Sequence, residues 1–184
     1  MLRPAYRPAC AVVLVLMVFA VMPGLRRAVA SEGTARPNPA ATAIPLFQPV
    51  LAALKAGTTA PVLLPTTVPV NPSMGVILYA RLSGVDNTFY DVELESTSTC
   101  NGNLGCQIGA VLSYPAVGPI DLTYFRTSQK VTLSNGITAI AGNPAYRLPS
   151  TIIWDQSGRR YSLVLPVSKF PQDLVNMANS MTAY

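Results

Sequence analysis

The chain has 184 residues and a formal net charge of +5, and 50% of its residues are hydrophobic. It contains no histidine, so it lacks the one side chain whose unperturbed pKa lies near neutral pH. Histidine is also the usual base of a hydrolytic triad and a common zinc ligand. We therefore expect no catalytic residues, no cofactor and no metal site. The motifs Gly-x-Ser-x-Gly and Ser-x-x-Lys are absent as well, which leaves a hydrolase as a third hypothesis only.

Residues 1–30 have the layout of a secretory signal peptide. A short segment with two arginines precedes an apolar run over residues 11–22, and Ala28-Val29-Ala30 supplies an A-x-A cleavage motif. The run is shorter than the roughly 20 apolar residues that span a bilayer. We therefore predict cleavage after Ala30, which gives a periplasmic or secreted protein without a stable membrane span.

Two arginines near the cleavage motif leave an alternative open. Arg26 and Arg27 follow the apolar run, and positive charge is unusual on the translocated side of such a segment. A retained N-terminal anchor is therefore the alternative to cleavage. Cys10 precedes the apolar run, so we expect no lipid anchor.

The charge of the mature chain is close to zero. Four of the thirteen basic residues precede Ser31 and all eight acidic residues follow it, which leaves a net charge of +1. Because no stripe of Lys or Arg remains to contact phosphates, we expect no nucleic-acid partner.

The mature chain has two cysteines, Cys100 and Cys106. An even number of cysteines in an oxidising compartment predicts a disulfide, and the intervening Asn-Gly-Asn-Leu-Gly favours a turn. A redox role is the alternative. We favour a structural bridge, because Cys-x5-Cys is not the Cys-x-x-Cys spacing that lowers the pKa of a thiol.

The composition predicts a disordered lead-in over 31–43 and one domain over 44–184. In chain order the domain begins with a helix over Pro45–Ala56, which presents Leu46, Val50 and Leu54 at helical spacing. The prolines that follow, over 60–69, exclude a helix interior and a central strand, so this segment is predicted to be extended.

A period of two then predicts strands. In 90–95, Tyr90, Val92 and Leu94 alternate with three acidic residues. Successive carboxylates on one strand face lie about 6.8 Å apart, too far for all three to ligate one calcium ion, so we interpret them as a solvent-facing row. The other predicted strands are Gly75–Leu82, Cys106–Ser113, Ile120–Phe125, Gln129–Leu133, Ile137–Ala141, Thr151–Asp155 and Arg160–Pro166.

Two dipeptides predict hairpins. Asn135-Gly136 is a strong turn signal, and Ser157-Gly158 is a second one whose register follows from a two-residue loop. In that register Trp154 lies opposite Tyr161 on an apolar face, and Asp155 forms a solvated ion pair with Arg160 on the other face. A shift by one residue would mix the two faces, so this register is well specified.

The last predicted element is a helix over Pro171–Met181. Together these elements predict an α+β fold: one twisted, mainly antiparallel sheet of about seven or eight strands, with an N-terminal and a C-terminal helix packed against it. We expect the protein to be a monomer.

Several short motifs carry a resemblance. The segments Cys100-Asn-Gly-x-x-x-Cys106, Val131-Thr-Leu-Ser-Asn-Gly136 and Trp154…Gly158…Tyr161-Ser resemble small exported cyanobacterial proteins of unknown function. The tail from Trp154 to Leu174…Met177-Ala-Asn-Ser180 is similar to a bacterial extracytoplasmic domain of unknown function. The resemblance extends from Pro61 to the C-terminus and implies export and fold, but it supplies no catalytic residue. Such relatives often carry a second cysteine pair, which 141–150 lacks here.

Two binding hypotheses follow from these features. The first is an exported, non-catalytic protein that binds an envelope protein or cell-wall partner, with Trp154 and Tyr161 as a stacking surface. The alternative for these two rings is a place in the core, where paired aromatics on a hairpin are common. The second hypothesis is a carrier or sensor of lipid-like apolar ligands, held against a sheet face that the helices leave uncovered.

Overall fold

A computed structural model describes residues 45–69, 77–145 and 149–184. The expected signal peptide, 1–30, and lead-in, 31–43, lie outside these ranges. The elements in chain order are α1 (Gln48–Gly57), β1 (Leu63–Pro65), β2 (Tyr79–Val85), β3 (Tyr90–Glu95), β4 (Gln107–Pro115), β5 (Phe125–Thr132), β6 (Thr138–Pro144), β7 (Thr151–Gln156), β8 (Arg159–Val164), α2 (Gln172–Asn179) and β9 (Met181–Ala183). Within the described ranges, no helix is long and apolar enough to cross a membrane.

The fold is α+β, with seven antiparallel strands in one sheet. Their order is β2-β3-β4-β8-β7-β6-β5, and β1 pairs with β9 in a separate two-stranded sheet. The predicted class and the antiparallel sheet are confirmed. The small sheet was not predicted, because β1 lies among prolines and β9 has only three residues, the first of which, Met181, was assigned to the C-terminal helix.

The β7–β8 hairpin has the predicted register. Trp154 pairs with Tyr161 and Asp155 pairs with Arg160. Ser157 (φ 52°) and Gly158 (φ 74°) form the loop in the left-handed region, as a type I′ turn requires, and this turn matches the twist of the two strands.

The Asn135-Gly136 hairpin is also present, with a loop one residue longer than the tightest type. The amide of Leu133 donates to the carbonyl of Ile137 (2.8 Å), and the amide of Gly136 donates to the carbonyl of Leu133 (2.9 Å). Gly136 has φ 81°. A turn followed by a left-handed glycine is the usual three-residue hairpin loop.

Two element predictions need correction. Residues 122–124 of the strand predicted over Ile120–Phe125 form a 3-10 turn, because the Asp121 carboxylate accepts from the amide of Thr123 (2.9 Å) and caps it. The C-terminal helix ends at Asn179 rather than at Met181. There the amide of Thr66 donates to the carbonyl of Ser180 (3.1 Å), and the chain continues as β9 beside β1.

The core lies on one face of the large sheet. It combines buried residues of both helices, of β1 and of alternate positions on the strands. The largest fully buried side chains are Trp154, Tyr90, Tyr161, Phe47, Leu54, Leu64, Leu94, Ile152, Leu163, Leu165, Leu174 and Met177. Neighbouring strand residues point to opposite faces, so the positions between these define a second face, against which neither α1 nor α2 packs; we call it the helix-free face.

The small sheet is joined to the large one by a buried hydroxyl. Tyr90 is 0% exposed; its hydroxyl donates to the carbonyl of Leu63 (2.7 Å) and accepts from the amide of Leu63 (3.1 Å). These two backbone groups are thereby satisfied without a further strand. Burial raises the pKa of Tyr90 well above its ordinary value, so the hydroxyl keeps its proton.

We expect Tyr90→Phe to lower the free energy of unfolding by about 1–3 kcal/mol, because both polar groups of Leu63 lose their partner. Urea unfolding followed by the fluorescence of the single tryptophan measures the effect. Tyr79→Phe is the matched control, since the Tyr79 ring is 38% exposed, and it should leave stability unchanged. Equal stability of the two variants would contradict the role assigned to the Tyr90 hydroxyl.

A cleft on the helix-free face as candidate functional site

The predicted disulfide is present. Cys100 and Cys106 are bonded, with their Cα atoms 5.8 Å apart, and they close the loop between β3 and β4. The amide of Ser96 donates to the carbonyl of Cys106 (2.9 Å). The bridge therefore fixes the loop where it leaves and re-enters the sheet.

Trp154 and Tyr161 lie in the core. Their rings are stacked with centroids 5.5 Å apart, but the two residues are only 1% and 2% exposed. This corrects the hypothesis that they form a stacking surface for a partner. The physical reason is their strand position: the face they share packs against the helices and β1 in the main hydrophobic cluster.

The acidic row of β3 is not simply solvent-facing. Arg81 on β2 forms ion pairs with Glu93 and Glu95, and Glu95 is 2% exposed and also accepts from the amide of Gly102 (3.0 Å). Glu95 is buried because Arg81 and the disulfide loop, which carries Gly102, both contact its carboxylate. Among the described residues, no cluster of three His, Cys, Asp or Glu is arranged to hold a metal ion.

The helix-free face carries a cleft of about 360 Å³, which we call the sheet cleft. Its floor is formed by β4, β8 and β7, and one wall by the loop between β4 and β5. The lining residues are Leu112, Tyr114, Ile120, Asp121, Tyr124, Thr151, Ile153, Arg160, Ser162 and Val164. Most of this lining is aliphatic or aromatic.

One wall of the sheet cleft is a small second core. Phe125, Ile140 and Ile153 are buried together, and Ile120 and Tyr124 pack against them. A Cβ at Gly142 would lie 2.3 Å from the Phe125 ring, so the glycine makes room for that ring. The apolar wall thus depends on a position without a side chain.

Arg160 holds the loop wall in place. Its Nε and Nη2 donate to the two carboxylate oxygens of Asp155 (2.7 and 2.9 Å), and Nη2 also donates to the carbonyl of Gly118 (2.6 Å). Arg160 is only 7% exposed. The ion pair with Asp155 is confirmed, but it is half-buried rather than solvated, because the loop covers the guanidinium.

The polar groups of the sheet cleft are few. Hydrogen bonds from the hydroxyl and the amide of Thr123 hold the pKa of Asp121 below its usual value, so this carboxylate stays ionised, but it is exposed to water at the loop wall. Arg160 is neutralised by Asp155. The hydroxyl of Ser162, which is 5% exposed, makes no hydrogen bond to the described residues. The lining pairs no nucleophile with a general base. The cleft is suited to binding an uncharged, largely apolar molecule.

Sequence reasoning did not find the residues of the sheet cleft. A signal was nevertheless present in the apolar runs Ala110-Val111-Leu112 and Ile152-Ile153-Trp154. Consecutive apolar residues in a strand indicate burial or apolar contact on both faces. The crossing loop, in contrast, could be located only from the structure.

Asp91 lies on the same face, beside Leu112 on β4, and its Oδ1 is buried without a hydrogen-bond partner among the described residues. Burial, and then the nearby Glu93 carboxylate, raise the pKa of Asp91, while Arg81 opposes this rise. The folded state therefore binds this proton more tightly than the unfolded state. The resulting contribution to stability is present at low pH and is lost as the pH rises through the folded pKa.

We therefore expect Asp91→Asn to be more stable than the wild type at pH 7, and the difference to shrink at about pH 3, below the usual aspartate pKa. Urea unfolding at both pH values measures it. Asp86→Asn is the control with the opposite sign, because hydrogen bonds from Thr88 lower the pKa of Asp86. Loss of stability in Asp91→Asn at pH 7 would contradict this explanation.

We expect Arg160→Lys to release the loop wall, since lysine keeps the charge but lacks the planar fork. Loss of at least one charge-assisted hydrogen bond should speed amide hydrogen exchange in 116–121 by at least about tenfold. Mass spectrometry of peptides from this segment measures the rate. Arg126→Lys, at an exposed position on β5, is the control and should leave the rate unchanged. An unchanged rate in Arg160→Lys would show that the loop does not depend on the fork.

Comparison of the chain with models of protein families, with curated proteins and with solved structures found no match. We therefore infer a function from the geometry and chemistry of the sheet cleft itself.

Proposed function

We propose that the protein is an exported, non-catalytic binding protein that carries or senses a small, uncharged and largely apolar ligand in the sheet cleft. The observation that carries this proposal is an open apolar cleft on the face of the sheet that the helices leave uncovered. Its volume of about 360 Å³ lies within the range of about 300–1,000 Å³ usual for small-molecule sites.

The electrostatics of the sheet cleft support an uncharged ligand. Arg160 and Asp155 neutralise each other, and the Asp121 carboxylate is bonded to Thr123. An anionic ligand would lose its hydration there without meeting an unpaired positive charge, and a cationic ligand would meet only the Asp121 carboxylate, which is exposed to water. An apolar ligand with a single hydroxyl or carbonyl group can bury its apolar part and place the polar group beside Ser162.

Export is supported by two observations that do not depend on the cleft. The disulfide between Cys100 and Cys106 is of a kind that forms and persists in oxidising compartments. The first thirty residues have the layout of a signal peptide. The resemblance to small exported proteins implies the same compartment, so we propose a periplasmic or secreted location.

The test compares one substitution at two positions. Leu112 lines the sheet cleft and is partly exposed, so Leu112→Glu places a charge on the apolar floor while the carboxylate still reaches water. Leu104→Glu, at a side chain that is 83% exposed and outside the lining, is the matched control. The probe is N-phenyl-1-naphthylamine, whose fluorescence rises in apolar sites.

We expect the wild type and Leu104→Glu to bind the probe equally, and Leu112→Glu to bind it about tenfold or more weakly. That factor corresponds to the loss of one well-buried apolar contact. Native mass spectrometry of protein from its envelope fraction should show an added mass that denaturation removes. Equal binding by all three proteins, or a wild type that binds no probe and carries no added mass, would overturn the proposal.

A protein or cell-wall partner is the second candidate, and one observation favours it. On the loop wall of the sheet cleft, Val117 is 81% and Leu122 is 51% exposed. Exposed apolar side chains beside a binding site are suited to contact with a partner that delivers or receives the ligand. Replacement of both by Ser should then weaken capture of that partner and leave probe binding unchanged.

A further inference from the structure

A second cleft, of about 210 Å³, lies on the core side of the sheet, at the opposite face from the sheet cleft. It is bordered by the β5–β6 hairpin, the end of β7, and the segment from α2 to β9. Three carboxamide side chains line it, from Asn135, Gln156 and Asn179, together with Ser134 and one wall formed by Trp154. We call it the amide cleft. Nothing in the proposed function depends on it.

The three carboxamides are each fixed by their oxygen. Asn135 Oδ1 accepts from the amide of Ile137 (3.1 Å), Asn179 Oδ1 from the amide of Ser134 (2.7 Å), and Gln156 Oε1 from the indole nitrogen of Trp154 (3.3 Å). Each of these partners is a donor only, so it must face the oxygen and not the NH₂ group. The orientation of all three amides is therefore determined by their surroundings.

The NH₂ groups are accessible to a ligand, because Asn135 and Asn179 are exposed and Gln156 is half-buried. None of the three makes a hydrogen bond to the described residues, and the Ser134 hydroxyl makes none either. The lining contains no charged side chain. The amide cleft therefore offers several neutral N–H donors, together with the Ser134 hydroxyl and the remaining lone pair of each amide oxygen. A complementary ligand is neutral and carries both acceptors and donors.

Size and shape narrow the ligand further. A volume of about 210 Å³ equals that of about seven water molecules in the liquid, which suits one sugar ring. Leu133, Ala178 and Met181 add apolar surface to the lining, and sugar rings present apolar C–H faces. Among ring-sized neutral groups, the acetamido carbonyl is a strong acceptor that does not itself donate.

We propose that the amide cleft binds an acetamido sugar unit, with the acetamido carbonyl accepting hydrogen bonds from the NH₂ groups of Asn135 and Gln156 and a ring hydroxyl accepting one from Asn179. The free sugar and the same unit within a cell-wall glycan share this group. A site for such a unit would hold the protein at the wall while the sheet cleft stays open.

The test uses nitrogen-15 spectra of the whole mature protein, titrated with N-acetylglucosamine, with glucose and with sodium acetate. N-acetylglucosamine should shift the side-chain NH₂ signals of the three amides and the indole N–H signal of Trp154. Glucose should shift them at least about tenfold less at equal concentration, because it lacks the carbonyl. Equal shifts by glucose, shifts by acetate alone, or no shift by any of the three would overturn the proposal.

The variant Asn135→Asp separates binding from folding. It keeps the oxygen that accepts from Ile137 and replaces the NH₂ group by a second acceptor, so the hairpin is retained while the donor is lost. Affinity for N-acetylglucosamine should fall by about tenfold or more. Asn143→Asp is the matched control, since the Asn143 oxygen also accepts a hydrogen bond, from Ser150, and the side chain lies outside the amide cleft.

Gln156→Glu gives a second, independent variant, because it keeps the acceptor for the Trp154 indole in the same way. Unchanged affinity in both Asn135→Asp and Gln156→Glu would overturn the proposal even if the sugar binds. A sedimentation assay with insoluble cell-wall glycan distinguishes the two sources of the unit. If the glycan retains the protein, the ligand is the unit within the polymer rather than the free sugar. Leu112→Glu should leave sugar binding intact. A failure of the proposed sugar site can therefore be distinguished from a failure of the proposed function in the sheet cleft.

Discussion

Strand β1 can cover the core only because a side chain makes the backbone hydrogen bonds that a neighbouring strand would otherwise make. Strand β1 pairs with β9 on one side, and its other side faces the large sheet with the amide and carbonyl of Leu63. An unpaired backbone group in such a place costs as much as a lost hydrogen bond. The Tyr90 hydroxyl satisfies both groups at once, so β1 can lie over the core without a paired strand on that side.

The positions of β9 and of the end of α2 depend on this placement of β1. With β1 in place, β9 pairs with it, and the carbonyl of Ser180 accepts from the amide and the hydroxyl of Thr66 (both 3.1 Å). The end of α2 is thereby fixed beside β7, where it covers Trp154 and contributes Asn179 to the amide cleft. Because burial keeps the Tyr90 hydroxyl protonated, its two hydrogen bonds to β1 do not depend on pH in the physiological range.

The register of β7 and β8 was predictable from a few residues. A two-residue loop at Ser157-Gly158 fixes which residues lie opposite each other, and the apolar set then selects the face. The disulfide followed from cysteine number and compartment in the same local way. These features depend on neighbours in the sequence, which is why sequence alone was enough.

Other features depend on distant parts of the chain and could not be predicted. Arg160 is buried because the loop that carries Gly118 covers its guanidinium, and Gly118 lies 42 residues away in sequence. Strand β1 has three residues, among prolines, and its partner β9 is also three residues long. Such short strands carry almost no periodicity. Glu95 is buried, unlike the predicted solvent-facing row, because Arg81 and the loop that carries Gly102 contact its carboxylate, and alternation does not reveal such contacts.

The alternation of β7 also explains why one strand serves two clefts of different chemistry. Ile153 points to the helix-free face and contributes to the apolar sheet cleft, whereas Trp154 points to the core face and borders the amide cleft. The next two residues alternate in the same way. Asp155 forms an ion pair with Arg160 on the helix-free face, and Gln156 accepts a hydrogen bond from the Trp154 indole on the core face. The thickness of the sheet separates the two clefts. The two ligands that we propose would therefore not compete for the same side chains.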